Sequence, residues 1–217
     1  MNGAIDIVWR LCYCLSSKDS IVINVIGYNT EYVVVFIFVE VDILNSIAVV
    51  YKSKYGSTKQ YAEWIAEELN AILFEAASMK PSQLLDFDIV IYGGGLYASG
   101  INGVKLVTKN PCKSLVVFTV GAADPNTTDY SEILSKNFSQ EFLSKIKVFH
   151  LHGGIDYTRL SSVHKVMMAM VKRTRVDSKP QEHRSDEDRI FLETYGKKFD
   201  YKNKATIKPL VDYVHSL

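Results

Sequence analysis

The 217-residue chain has few cysteines, no long apolar run and no excess of charge of either sign. Its three cysteines (Cys12, Cys14 and Cys112) have unrelated spacings, so they form neither a disulfide framework nor a zinc motif. A reducing cytoplasm is therefore the expected location. The longest uncharged apolar run, residues 32–39, is much shorter than the ~20 residues needed to span a bilayer.

The charge balance gives no global reason to expect nucleic-acid binding, because the net charge is +1. Residues 1–45 contain 2 basic and 5 acidic residues, which leaves 23 basic and 19 acidic residues in 46–217, a net charge of +4. A chain of this length suits one α/β domain with at most an appendage.

Residues 46–70 predict a strand, a tight loop and a helix. Residues 47–51 are apolar and mostly β-branched, which is typical of a strand buried on both faces. The helix follows because apolar residues recur at helical spacing, at Tyr61, Ile65 and Leu69.

The loop between them, residues 53–58, is suited to an anion. N–H groups at a helix start point out of the helix, and the helix dipole favours negative charge there. The hydroxyls of Ser53, Ser57 and Thr58 and the amine of Lys54 add donors and charge. A phosphate monoester fits this loop; the alternative is that Ser57 or Thr58 only caps the helix.

Two other nucleotide-binding patterns are alternatives to this interpretation of the loop. The chain has no Gly-x-x-x-x-Gly-Lys-Ser/Thr sequence, which excludes a P-loop. Gly93-x-Gly95-x-x-Ala98 matches the dinucleotide fingerprint, but it follows the third predicted strand instead of the first. No acidic residue stands about 20 positions later, where residues 113–118 lie, so a nicotinamide-binding domain is a minor alternative.

The chain beyond residue 70 alternates between predicted strands and helices. Together with the first strand, this alternation predicts a parallel sheet with right-handed crossovers. The predicted strands are 71–75, 88–92, 114–120 and 147–151; the predicted helices are 81–85, most of 127–145, 161–173, 187–195 and a last helix capped by Thr206. Three loops then follow the carboxyl ends of predicted strands, where doubly wound sheets bind ligands. They are residues 53–58, 93–100 and 119–126.

The pattern Ser-x-x-Gly-Ser-Thr at residues 53–58 resembles the phosphate loop of flavodoxins, which binds the phosphate of FMN. The resemblance implies an α/β, doubly wound, five-stranded parallel sheet of order 2-1-3-4-5 with FMN as cofactor. The cofactor-binding residues that it implies are Ser53, Lys54, Tyr55, Gly56, Ser57 and Thr58 for the phosphate, and Gly94, Gly95, Leu96, Tyr97, Ala98, Thr119, Val120, Gly121 and Ala122 for the flavin ring.

Residues 152–160 (His-Gly-Gly-Ile-Asp-Tyr-Thr-Arg-Leu) and the following Met-rich helix resemble the flavodoxin-type, menaquinone-dependent protoporphyrinogen oxidases. This resemblance covers residues 46–175 and implies an FMN oxidoreductase with a quinone or porphyrinogen-like partner. The sequence offers no acid–base pair, so the flavin would carry the chemistry. The alternative is an electron carrier recognised by a redox partner protein; such carriers usually dock through acidic surfaces, which the charge of +4 disfavours. A flavodoxin fold without cofactor is the third possibility.

The histidines and methionines are expected to be structural. His150 and His152 alternate on one strand, but two histidines without a third ligand do not predict a metal. The stripe Val163, Val166, Met167, Met170 and Val171 is expected to pack on the sheet. The alternative, because basic residues flank it, is peripheral contact of helix 161–175 with an anionic membrane surface.

Residues 1–45 are expected to be an N-terminal extension outside the flavodoxin-like domain 46–217. They contain strand-like runs at 21–26 and 32–39 around a turn at 27–29. One hypothesis is a start site placed too far upstream, with true initiation at a non-AUG codon near residues 43–44. The other is a genuine hairpin that covers a sheet edge. Mass spectrometry of the native N-terminus separates the two.

Overall fold

The computed structural model describes residues 12–16, 19–28, 31–38, 46–97 and 99–217. It divides the chain into two units, residues 1–44 and 45–217. The first unit contains a three-stranded antiparallel sheet of β1 (Cys12–Ser16), β2 (Asp19–Tyr28) and β3 (Glu31–Phe38), in that order.

Two of these strands were predicted, although with different ends. The turn expected at 27–29 is wrong at its first two residues, because Gly27 and Tyr28 pair with Tyr32 and Glu31 inside the β2–β3 ladder. The third residue of that turn, Asn29, lies outside the described residues, as do Val39 and the proposed start near residues 43–44.

The second unit is built on a parallel sheet. Its five parallel strands are β4 (Ile47–Lys52), β5 (Ile72–Glu75), β6 (Ile89–Tyr97), β8 (Ser114–Gly121) and β9 (Lys147–His152); β7 (Gly100–Ile101) pairs antiparallel with the end of β6. The order β5-β4-β6-β8-β9 is 2-1-3-4-5 by position in the chain, which confirms the predicted doubly wound fold.

Helices cover both faces of this sheet, and a small hairpin follows it. The helices are α1 (Ser57–Glu68), α2 (Lys105–Thr108), α3 (Ser131–Asn137), α4 (Gln140–Leu143), α5 (Ser162–Val171), α6 (Asp186–Thr194) and α7 (Lys208–His215). Four shorter segments are 3₁₀ turns: Pro81–Asp86, Tyr157–Arg159, Gln181–His183 and Lys204–Ile207. A π-helical turn follows α5 at Lys172–Val176. In the hairpin, β10 (Gly154–Asp156) pairs antiparallel with β11 (Lys198–Asp200).

The central strands are buried on both faces, as their apolar sequences predict. In β4, Val49 contributes to the core under α1 and α7, while its neighbours Ala48 and Val50 contribute to the core under α3 and α4. This alternation follows from the two-residue period of a strand. Within the described ranges, every helix is too short or too polar to cross a membrane.

Three local expectations were wrong. β6 continues to Tyr97 instead of ending before residues 93–100, because the Gly93–Gly95 backbone pairs with β8 and this ladder outweighs the weak strand preference of glycine. Residues 127–145 form two helices, because Phe138 is extended between α3 and α4. Thr206 caps no helix: it lies inside a 3₁₀ turn that Asn203 caps, and α7 begins two residues later.

Candidate functional site

The loop of residues 53–58 joins β4 to α1 at the carboxyl edge of the sheet. Gly56 precedes the helix with φ of 97°, a left-handed conformation that glycine adopts without a Cβ penalty. Its N–H donates to Ser53 Oγ (3.1 Å), and its carbonyl accepts the first helical bond, from the Gln60 N–H (3.0 Å). The N–H groups of residues 57–59 therefore have no acceptor within the helix.

The expectation that Ser57 or Thr58 caps α1 is wrong. The helix starts at Ser57, and no side chain of the described residues bonds to its first turn. A capping side chain must come from the residue before the helix, and that residue is Gly56, which has none. Both hydroxyls thus lie within the first turn, beside three outward-pointing N–H groups. Such a helix start attracts an anion.

The end of β6 closes against this loop. A Cβ placed on Gly95 would lie 3.2 Å from Thr58 Oγ1, so the glycine permits the close approach of strand and helix. Thr58 itself is buried, with 3% of its surface exposed. The strand ends and the loop therefore form one continuous wall.

A cavity of about 360 Å³ lies above this wall, within the size range of small-molecule sites. We call it the first cavity. Eleven residues that the sequence predicted as cofactor-binding line it: Ser53, Lys54, Tyr55, Ser57, Thr58, Gly95, Leu96, Tyr97, Val120, Gly121 and Ala122.

Three of the other four predicted residues do not line the first cavity, and the fourth lies outside the described residues. Gly56 shapes the loop through its backbone. Gly94 lies inside the sheet, paired with β4 and β8. Thr119 is fully buried, and its Oγ1 lies 2.6 Å from Nδ1 of His150. Ala98 lies outside the described residues.

The helix α5 closes the cavity through His164, which is 4% exposed. Its Nε2 lies 3.0 Å from Lys54 Nζ, and its Nδ1 bonds to the Tyr55 hydroxyl. Because a lysine ammonium only donates, Nε2 must accept and Nδ1 carries the proton. Burial and, to a smaller extent, the charge of Lys54 lower the pKa of His164, which favours this neutral form.

Two further contacts join α5 to the end of β6. The Tyr97 hydroxyl donates to Met167 Sδ (2.7 Å), and the rings of Tyr97 and His164 lie 4.4 Å apart. Lys54 Nζ also lies 5.5 Å from the centre of the Tyr97 ring. The ammonium group of Lys54, the ring of Tyr97 and α5 therefore form one connected cluster.

Several lining residues were not predicted. They are Asn102, Gly153, Gly154, Ile155, Leu160, His164, Met167, Met168 and Val171. Gly153 and Gly154 follow the fifth parallel strand, so the rule that pointed to the loops after the other strands could have found them. His164 had no such signal, because its partners lie 109 and 110 residues earlier in the chain.

The strand histidines have structural partners. His150 stacks on Tyr130 with ring centres 3.6 Å apart, and burial lowers the pKa of His150 to about 4. His152 lies 3.1 Å from the Ala122 carbonyl and stacks on Tyr201 (4.5 Å). Within the described residues, no group of three or more His, Cys, Asp or Glu side chains could hold a metal ion.

The expected burial of the apolar stripe on α5 is wrong for most of its members. Val163, Val166 and Met170 are 67%, 63% and 62% exposed, whereas Met167 is half-buried against Tyr97. The helix faces the cavity with His164, Met167 and Val171, and this orientation turns the other three stripe residues outward.

The sheet order defines a doubly wound α/β protein, and the first cavity lies where the strand order reverses. The family model described as "Flavodoxin domain" matches residues 48–182, and the chain belongs to that family. The match is to the domain and not to the protoporphyrinogen oxidases in particular. No curated protein matches the chain.

Solved structures of flavoproteins are also similar to the chain. A flavodoxin from the domain Archaea is 17% identical over 48% of this chain and 84% of its own, with a TM-score of 0.33. A flavoprotein in complex with FMN from Lactobacillus acidophilus NCFM is 12% identical over 50% of this chain and 92% of its own, with a TM-score of 0.34. Rubredoxin oxygen:oxidoreductase from Desulfovibrio gigas is 13% identical over 70% of this chain and 37% of its own, with a TM-score of 0.36.

Proposed function

We propose that this chain binds FMN in the first cavity and works as a redox flavoprotein. One observation carries the proposal: the free N–H groups of residues 57–59 and the hydroxyls of Ser57 and Thr58 adjoin a largely apolar cavity at the point where the strand order reverses. A phosphate linked to a flat ring uses both parts at once. An anion alone would leave the apolar part unused, and an apolar ligand alone would leave the donors unused.

The residues present suit the two ends of such a molecule. The N–H groups and hydroxyls at the start of α1 would hold the phosphate by charge-assisted hydrogen bonds. Leu96, Tyr97 and Met167 would contact the ring and exclude water from it. FMN, when bound, supplies the electron-transfer chemistry, and the protein orients it and tunes its potential.

For the reaction, we propose oxidoreduction with a quinone or porphyrinogen-like partner. The support is the similarity of residues 152–160 and the following helix to the menaquinone-dependent protoporphyrinogen oxidases. The competing function is that of a soluble electron carrier with no substrate of its own. The net charge of +4 in residues 46–217 is poorly suited to docking on basic partner proteins, which argues against the carrier.

We also propose that α5 makes peripheral contact with an anionic lipid surface. Val163, Val166 and Met170 form an exposed apolar face. Lys165 is exposed on the same helix, and Arg173 is exposed in the π-helical turn that follows it. An apolar face with basic neighbours matches the acyl boundary and the anionic headgroups of such a surface.

Titration of the purified chain with FMN and with riboflavin, followed by flavin fluorescence, tests the cofactor. FMN should bind much more tightly than riboflavin, because only FMN offers a phosphate to residues 53–58. A folded protein that binds neither flavin contradicts the proposal. Equal affinity for the two would place the ligand away from this loop.

A further inference from the structure

A second cavity, of about 630 Å³, adjoins the first one. It lies between the loop after β8, the β10–β11 hairpin and α6. Four residues line both cavities: Ala122, Ile155, Met168 and Val171. A molecule in the second cavity would therefore lie next to a ring held in the first.

The walls of the second cavity are flat and apolar. Aromatic rings come from the turn after β10, from α6 and from the region of β11, namely Tyr157, Phe191, Phe199 and Tyr201. The rings of Phe199 and Tyr201 lie 5.3 Å apart, and Tyr201 in turn stacks on His152. Aromatic faces of this kind favour a planar ligand that packs against them.

The charges of the lining argue against an anionic ligand. Asp188 is 1% exposed and is already paired, with Lys179 Nζ at 2.6 Å and the Ser185 N–H at 3.1 Å. Asp124 and Glu193 add two carboxylates, and no lysine or arginine among the described residues lines the cavity. A second negative charge would meet repulsion there, with no cation in the lining to offset it.

We infer that the second cavity is a substrate site for an uncharged, planar, apolar ring compound that contacts the flavin in the first cavity. This inference rests on the proposed function and deepens it, because an electron carrier without a substrate has no need of a second, aromatic-lined cavity. It assigns residues 176–201, which the phosphate loop and the ring contacts do not use, to substrate recognition.

The probe for this site is 2-naphthol, which is planar, bicyclic and uncharged at neutral pH, with naphthalene-2-sulfonate as its anionic counterpart. Binding to the FMN-loaded full chain is measured by equilibrium dialysis, and the flavin absorption spectrum is recorded in parallel. We expect 2-naphthol to bind and to shift the flavin bands, and the sulfonate to bind at least about tenfold more weakly. Equal binding of the two probes, or no binding of 2-naphthol, overturns the inference.

The Ala123→Trp variant locates the probe. Ala123 is an exposed residue that lines only the second cavity, so an indole there fills the space without disturbing the core. Ala77→Trp, at an exposed position outside both cavities, is the matched control. We expect Ala123→Trp to lower 2-naphthol affinity about tenfold or more, and Ala77→Trp to leave it unchanged. Equal effects of the two variants would overturn the inference.

A separate FMN titration of each protein distinguishes the two levels of failure. If FMN binds but 2-naphthol does not, the proposed function stands and the second cavity is not a substrate site. If FMN does not bind, the proposed function fails, and the inference of a ligand in contact with flavin fails with it.

Discussion

His164 accepts a hydrogen bond of 3.0 Å from Lys54 Nζ and so joins α5 to the phosphate loop across 110 residues of chain. The bond is made by a buried, neutral imidazole in a helix whose apolar stripe is mostly exposed. Polar contacts of His164 and Tyr97, more than apolar packing of the stripe, therefore hold α5 over the first cavity.

The first prediction concerns this link. His164→Ala should increase amide hydrogen exchange in α5 and weaken FMN binding, because the helix loses two of its hydrogen-bond partners in the loop. Val163→Ala, which truncates a side chain that is 67% exposed on the same helix, should change neither. If exchange in α5 is the same in wild type and His164→Ala, the link does not hold the helix.

The hydroxyls of the first helical turn should matter for the ligand and not for the fold. Ser57→Ala or Thr58→Val should weaken FMN binding by about 1.5–3 kcal/mol, the usual contribution of a hydrogen bond to a charged group, or roughly 10- to 100-fold. The melting temperature of the FMN-free protein should hardly change, because neither hydroxyl caps α1. Ser82→Ala is the control at an exposed serine. A lower melting temperature with unchanged affinity would restore the capping role.

Gly56→Ala and Gly196→Ala form a matched pair. Both glycines have positive φ (97° and 78°), and a Cβ on either would meet nothing within 4 Å. Each substitution should therefore lower the free energy of unfolding by about 1–2 kcal/mol through backbone strain alone. Only Gly56→Ala should also weaken FMN binding, because only Gly56 orients the phosphate loop. Equal FMN affinities for the two variants would contradict the assigned role of the loop.

Stability should fall on mild acidification because of His150. Burial lowers its folded-state pKa to about 4 from 6.5, so the unfolded chain binds this proton more readily than the folded chain. The free energy of unfolding should decrease as the pH falls from about 6.5 to about 4 and should not gain from this group above that range.

Denaturant unfolding at several pH values measures this slope, the change in the free energy of unfolding per pH unit. His150→Gln should make this dependence shallower, and the part that remains should come from other groups whose pKa values are lowered, such as His164 and Glu132. A slope unchanged by His150→Gln would show that the buried imidazole is not its source.

Lipid binding should depend on the exposed face of α5. The chain should sediment with anionic vesicles at low salt, bind less as salt screens the charges, and bind neutral vesicles weakly. Replacing Val163, Val166 and Met170 by serine should abolish the binding without lowering the melting temperature, because these side chains are exposed. Ile72 is an apolar residue outside α5 whose side chain is 57% exposed. The Ile72→Ser variant should bind anionic vesicles as the wild type does. Failure of the wild type to sediment would remove the proposed membrane contact.

Local sequence patterns predicted the strands of the parallel sheet and the strand–loop–helix around residues 53–58, while the strand order was implied by the resemblance to flavodoxins. β-branched runs such as residues 47–51 form strands wherever both faces are buried, and alternation with helices leaves few possible strand orders. The start of α1 follows from its neighbours in the chain, because Gly56 and the next three N–H groups are consecutive. Most of the predicted cofactor residues line the first cavity for the same reason: the carboxyl ends of parallel strands lie at one edge.

Only the tertiary structure decided how the chain after β9 is placed. The helical spacing of the α5 stripe predicted burial, yet the orientation of α5 is set by contacts of His164 and Met167 with Lys54, Tyr55 and Tyr97, and periodicity carries no information about partners so far away. The second cavity likewise exists only because the β10–β11 pairing brings residues 198–200 beside residues 154–156. Local propensity and pattern act over a few residues, whereas these contacts depend on where distant segments meet once the sheet has formed.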